Sequence, residues 1–154
     1  NHPDVSYVIA GDGNGLPALE CLAKELGVFN ACRFIGKVDD ADLVEHYRMA
    51  DVFIMPSTGE GFGIVYLEAM ACGIPAIGLD CDGSTDPLQA CDLGRAVSLN
   101  DLSAQIITSL AGGGVNGTSQ GTFSCNFAIP HFRERVSLLL HDLEVHAQSG
   151  CIDN

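Results

Sequence analysis

Basic residues are scarce in this 154-residue chain: 7 Lys and Arg stand against 20 Asp and Glu, a formal net charge of −13. A surface this acidic repels phosphate backbones and anionic lipid, which argues against nucleic acid or a membrane surface as partner. No run of about 18 apolar residues occurs, so no helical membrane span is expected. The seven cysteines are odd in number and include no Cys-x-x-Cys pair. Most sit in apolar stretches, which reads as buried free thiols in a reducing compartment rather than a zinc site or disulfide scaffold. No charged segment followed by an apolar one opens the chain, so no secretory signal is visible and a cytoplasmic location is expected. Internal repeats are lacking too. Opening on Asn1-His2-Pro3-Asp4 without Met, the chain enters an apolar run at once, as expected of a segment cut from a larger protein.

What is present fits one globular domain. The apolar share of 47% is ordinary, and a chain of this length buries roughly two-thirds of its unfolded surface in one core. Short apolar runs alternate with helical patterns: strands at Val5–Ala10, Arg33–Ile35, Asp51–Pro56, Pro75–Leu79 and Arg95–Val97, with helices between them. Pro17 stands near the first turn of a helix that Gly27 stops, Asp39 and Asp40 offer an N-cap to the next, and Gly73 closes the third. Near-continuous apolar strands separated by helices predict a doubly wound α/β fold, a parallel sheet with helices on both faces. That domain is expected over residues 1–111. Gly/Ser-rich composition marks 112–126 as a linker, and 127–154 reads as a C-terminal helix and tail.

In open α/β sheets, ligands sit beyond the carboxyl ends of the strands, so the loops there are the places to search. Gly11-x-Gly13-x-Gly15 lacks the G-x-G-x-x-G spacing, and no acidic ribose ligand ends the next strand; it reads as a tight turn rather than a nicotinamide or flavin site. The third loop, Pro56-Ser57-Thr58-Gly59-Glu60-Gly61-Phe62-Gly63, runs straight into a helix. Glycines let backbone N–H groups approach a ligand closely, and the helix start adds partial positive charge, a combination suited to a phosphate or diphosphate. Inside the apolar helix Ile64–Ala71, Glu68 is the one carboxylate and needs a partner, either a structural hydrogen bond or a ligand. With the helix start between them, Glu60 and Glu68 suit two hydroxyl-bearing ends of one long ligand better than a hydrolase pair flanking one bond. A nucleotide-sugar has that shape.

The run Glu60-Gly61-Phe62-Gly63-Ile64-Val65-Tyr66-Leu67-Glu68-Ala69-Met70-Ala71-Cys72-Gly73-Ile74-Pro75 resembles the E-x7-E signature of retaining glycosyltransferases of the GT-B fold, family 4. Val8–Gly13, Phe34–Val38, Ala50–Ser57 and Asp82–Asp86 extend the resemblance over residues 5 to about 110. It implies the C-terminal, Rossmann-like half of a GT-B fold that binds a nucleotide-diphosphate sugar for retaining transfer of a hexose. Glu60 would be catalytic, contacting hydroxyls of the donor sugar. Gly61, Phe62 and Gly63 would bring N–H groups to the diphosphate, Ile64 and Val65 would wall the nucleotide, and Glu68 would hold the ribose. Val38 would meet the base through its backbone.

The resemblance implies no cofactor and no essential metal. It also implies an N-terminal acceptor domain, and an Arg and a Lys that clamp the diphosphate, which this chain does not contain. Activity of the chain alone is therefore not expected, because charge-assisted phosphate contacts are the strong ones. The other reading is a non-catalytic binding or assembly module of the same fold, docking on a partner chain.

Overall fold

The computed structural model describes residues 4–90 and 92–112. Most of the expected linker, the C-terminal helix and tail, and Cys91, Cys125 and Cys151 lie outside them. The chain divides into two compact units, one running through His46 and the other beginning at Tyr47.

The first unit holds β1 (Tyr7–Ala10), α1 (Leu16–Glu25), a short 3-10 turn (Phe29–Ala31) and β2 (Cys32–Gly36). β1 and β2 pair in parallel, Tyr7 beside Cys32 and Ile9 beside Phe34. At their carboxyl ends the Gly11 N–H donates to the Gly36 carbonyl at 2.6 Å. Gly27 stops α1 as expected: it takes φ +69, and the Val28 N–H reaches back to the Ala23 carbonyl at 2.9 Å. α2 (Asp40–Arg48) carries the chain from the first unit into the second, with Asp40 and Asp42 in its first turn.

The second unit holds β3 (Phe53–Met55), α3 (Ile64–Ala71), β4 (Ala76–Leu79), α4 (Thr85–Gln89), β5 (Gly94–Val97) and α5 (Leu102–Ala111). Its strands form a parallel sheet in the order β3-β4-β5, with Met55 beside Gly78 and Gly78 beside Ala96. Every residue of β4 is buried. The core gathers around it: Tyr66, Met70, Ile77, Leu88 and Pro87 are almost wholly removed from solvent. Tyr66 organises this core. Its hydroxyl donates to the Met55 carbonyl, and its ring meets Phe53 edge-on at 5.9 Å. A Cβ on Gly78 would lie 2.7 Å from that hydroxyl, so only glycine lets the helix lie this close to β4. Gly73 ends α3 as Gly27 ends α1, with φ +82 and the Ile74 N–H on the Ala69 carbonyl at 3.0 Å.

The alternation of parallel strands and helices is the expected α/β architecture, and the strands and main helices expected within the described residues are found. α4 was not expected: five residues are too few for a helical period to register, and Pro87 sits in its first turn, where a missing N–H costs little. Burial corrects two expectations. Coverage of the strands on both faces holds for β4 but fails for β1, where Tyr7 and Val8 are 47% and 49% exposed. A two-stranded sheet has too few neighbours of its own to be covered on both faces. The cysteines also depart from expectation. Cys21, Cys32, Cys72 and Cys81 are free thiols, but Cys21 and Cys81 are exposed and the other two half-buried. Cys21 lies on the solvent side of α1 and Cys81 in the loop after β4. No helix among the described residues is long and apolar enough to cross a membrane.

Candidate functional site

β3 and β4 are parallel neighbours, so their carboxyl ends lie at one edge and the loops that follow them meet there. The loop after β3 carries Glu60, Gly61, Phe62 and Gly63; the loop after β4 carries Cys81, Asp82 and Gly83. Asp82 joins the two. One carboxylate oxygen accepts the Ser84 N–H at 2.9 Å, closing a local Asx turn. The other accepts the Glu60 N–H, also at 2.9 Å. In return the Gly83 N–H donates to the Glu60 carbonyl at 3.2 Å. Hydrogen bonding from Ser84, and then from the Glu60 N–H, holds the Asp82 carboxyl below its ordinary pKa.

Gly63, the N-cap of α3, is buried and takes φ +76, and no side chain caps the helix. A Cβ there would lie 2.6 Å from the Tyr66 ring, so the position admits only glycine on both steric and conformational grounds. The start of α3 is thereby left to backbone N–H groups, with Ile64 64% exposed at its first position and Val65 half-buried behind it. Four residues further along, roughly 6 Å up the axis, Glu68 is half-buried and accepts a hydrogen bond from the Tyr47 hydroxyl at 2.9 Å. Tyr47 is itself buried. Its phenol is pushed well above the ordinary tyrosine pKa by burial, and further by the hydrogen bond to Glu68 and the charge there.

Among the residues expected from sequence, Glu60, Gly61, Phe62, Gly63, Ile64, Val65 and Glu68 all fall on one continuous loop and helix of the second unit. Val38 lies in the first unit, half-buried in the turn between β2 and α2, close in sequence to the Gly36 carbonyl that Gly11 engages. Sequence reasoning missed two participants. Asp82 entered only as the first residue of the Asp82–Asp86 stretch that extends the resemblance, with no sign of its reach to Glu60. Tyr47 carried no signal beyond an aromatic near the end of a helix.

Two Asp-x-Asp triplets, Asp40-Ala41-Asp42 and Asp80-Cys81-Asp82, also stand in the chain. Among the described residues no three His, Cys, Asp or Glu side chains gather where they could hold a metal ion. Both oxygens of Asp82 already receive N–H donors.

Comparison with known proteins places this arrangement in a family. A GDP-mannose-dependent alpha-(1-6)-phosphatidylinositol monomannoside mannosyltransferase of Mycolicibacterium smegmatis is 36% identical over 117 residues, covering 71% of this chain and 30% of that protein. A D-inositol 3-phosphate glycosyltransferase of Geodermatophilus obscurus is 49% identical over 76 residues, 47% of this chain and 17% of its own length. The chain thus spans less than a third of either relative. Among solved structures, the apo form of the lipopolysaccharide outer core galactosyltransferase WaaB superposes with a TM-score of 0.60 at 23% identity, over 70% of this chain and 32% of that one. That likeness speaks to the fold, a Rossmann-like α/β domain forming the C-terminal half of a GT-B architecture. The sequence profile of glycosyl transferases group 1 matches residues 1–104. The Glu60 loop and α3 both fall within that match, and the chain belongs to the glycosyl transferases group 1 family.

Proposed function

We propose that this chain is the donor-binding domain of a retaining, family 4-type glycosyltransferase, holding a nucleotide-diphosphate sugar while its hexose passes to an acceptor hydroxyl. The observation that carries the reading is the continuous path from Glu60 through the uncapped, glycine-led start of α3 to Glu68. Along that path lie, in order, an acceptor for sugar hydroxyls, a cluster of backbone N–H donors and an acceptor for ribose hydroxyls. A nucleotide-diphosphate sugar presents the complementary groups in the same order.

In this reading Glu60 orients the donor sugar rather than attacking it. The glycosidic C–O bond to the diphosphate breaks, a new one forms to the acceptor oxygen, and the acceptor's proton leaves with the diphosphate. Gly61, Phe62 and Gly63 face the developing charge on that leaving group with N–H dipoles and the helix start. Ile64 and Val65 flank the nucleotide. No cofactor or metal takes part. No Lys or Arg stands in the Glu60 loop, so the basic clamp on the diphosphate and the acceptor site belong to a further domain, in the same or a separate chain. The relatives, more than three times the matched length, support this division.

The test is titration of the full chain with UDP-, GDP- and ADP-sugars followed by NMR. Weak, roughly millimolar binding is expected for one of them, with shifts at Glu60–Val65 and Glu68, and its loss in Glu68→Ala. Shifts confined to another face overturn the site. A folded chain that binds none of the three is instead a binding or assembly module.

A further inference from the structure

Glu68 is asked to hold a ribose, yet its own helix gives it nothing polar to lean on: α3 is otherwise Ile, Val, Tyr, Leu, Ala and Met, and its one hydroxyl, on Tyr66, is spent on the Met55 carbonyl. A carboxylate so placed has several rotamers open to it, and a ligand that needs one of them must bear the ordering cost. Tyr47 removes that freedom. Its ring is buried and meets Phe53 edge-on at 5.5 Å. Phe53 in turn packs against Tyr66, the centre of the core. The hydroxyl at the end of this aromatic chain donates to Glu68 Oε2 at 2.9 Å. Burial and the carboxylate keep the phenol protonated, so it remains a donor. The second oxygen, Oε1, takes no part in that bond.

We propose that Tyr47 is a positioning residue of the donor site: by holding Glu68 Oε2 it aims Oε1 at the vicinal hydroxyls of the ligand's ribose, so that preference for a ribonucleotide depends on the Tyr47 hydroxyl. This rests on the donor-binding reading above and adds the device that enforces it. A carboxylate pinned at one oxygen accepts from a diol in a single direction, whereas an unpinned one accommodates water or a deoxyribose equally well.

The experiment uses the full chain, with UDP, GDP and ADP titrated in turn and the tightest binder compared with its 2′,3′-dideoxy counterpart. The unaltered chain is expected to favour the ribose form by about tenfold or more, the worth of one good hydrogen bond to a charged group. Tyr47→Phe keeps the ring, melts like the parent and loses most of that preference. Glu68→Gln loses it as well, and adding Tyr47→Phe to Glu68→Gln changes nothing further, because Tyr47 acts through Glu68. If Tyr47→Phe retains the preference, or weakens both nucleotides equally, the positioning role is overturned. Loss of all nucleotide binding in the unaltered chain, or indifference to Glu68→Gln, instead fells the donor-site reading beneath it.

A second measurement stands even where Tyr47→Phe does not fold. With 13C labels on the Glu68 carboxyl and Tyr47 Cζ, the ribonucleotide is expected to shift both resonances together and the dideoxy form neither. Equal shifts with the two nucleotides overturn the proposal.

Discussion

The Asp82 carboxylate accepts the N–H of Glu60 at 2.9 Å, across 22 positions of sequence. The loop that carries the first glutamate is therefore held from outside, by a residue of the neighbouring strand's loop. Asp82→Ala removes that acceptor and the Asx turn with it. Donor affinity is expected to fall about tenfold, with little change in melting temperature, because the tie lies at the sheet edge rather than in the core. Calorimetric titration alongside thermal melts checks the split; a large fall in melting temperature with affinity intact would contradict it.

The same hydrogen bond has a pH signature. Asp82 is held below its ordinary pKa, so its contribution is complete above the unfolded value of about 3.9 and is lost as pH falls through the lowered one. The Glu60 amide resonance is expected to titrate with a midpoint under about 3.9, and Asp82→Asn to abolish that titration. A midpoint at the ordinary aspartate value would mean that the bond is not made in solution.

Two glycine substitutions separate the site from the core. A Cβ at Gly83 would stand 2.0 Å from the Gly61 carbonyl, and one at Gly94 would stand 1.9 Å from the Leu88 carbonyl. Both neighbours are backbone, so something must shift. Gly83→Ala pushes the Glu60–Gly61 loop and is expected to abolish measurable donor binding while the chain still melts cooperatively. Gly94→Ala pushes β5 from α4 and is expected to cost at least about 1–3 kcal/mol in urea unfolding.

Tyr66 and Gly78 make a coupled pair. Gly78→Ala places a methyl 2.7 Å from the Tyr66 hydroxyl and 2.7 Å from a Leu88 methyl, an overpacking worth about 1–3 kcal/mol. Tyr66→Phe removes one of two donors to the Met55 carbonyl, which keeps the Ser57 N–H at 2.9 Å, at about 1 kcal/mol. Since removing the hydroxyl removes part of the clash, the double variant is expected to be less destabilised than the sum of the singles. Urea unfolding of the four chains reads the coupling directly.

All three tyrosines are shifted upward. Burial is the first cause at Tyr7, Tyr47 and Tyr66 alike, with Glu68 adding to it at Tyr47. A folded pKa raised in this way favours the folded state below the unfolded value of about 10, and that stability is lost as pH rises through the folded values. Tyrosinate absorbance at 295 nm is expected to stay low at pH 10 and to rise together with the loss of near-UV dichroism. Ionisation of more than one full tyrosine before unfolding would show that Tyr47 or Tyr66 is open to solvent.

The chemistry that repeats locally could be read along the chain. Gly27 and Gly73 stop their helices where the pattern placed the stops, each at positive φ with a reach-back hydrogen bond, because a left-handed residue after a helix is a requirement that sequence states outright. The loop from Glu60 into α3 was legible for the same reason: glycines, a helix start and two carboxylates lie in one continuous stretch. α4 was too short to show a period, and the exposure of β1 follows from what packs beside it, which no alternation of residues encodes. Pairing of β3 with β4 in parallel decided the rest. It set two loops at one edge, where Asp82 could meet Glu60, and folding of the chain against α3 brought Tyr47 to Glu68. Sequence by itself determined which groups line the Glu60 loop and α3; only the tertiary structure decided what holds them in place, because hydrogen bonds across 21 and 22 positions depend on how the elements pack rather than on spacing.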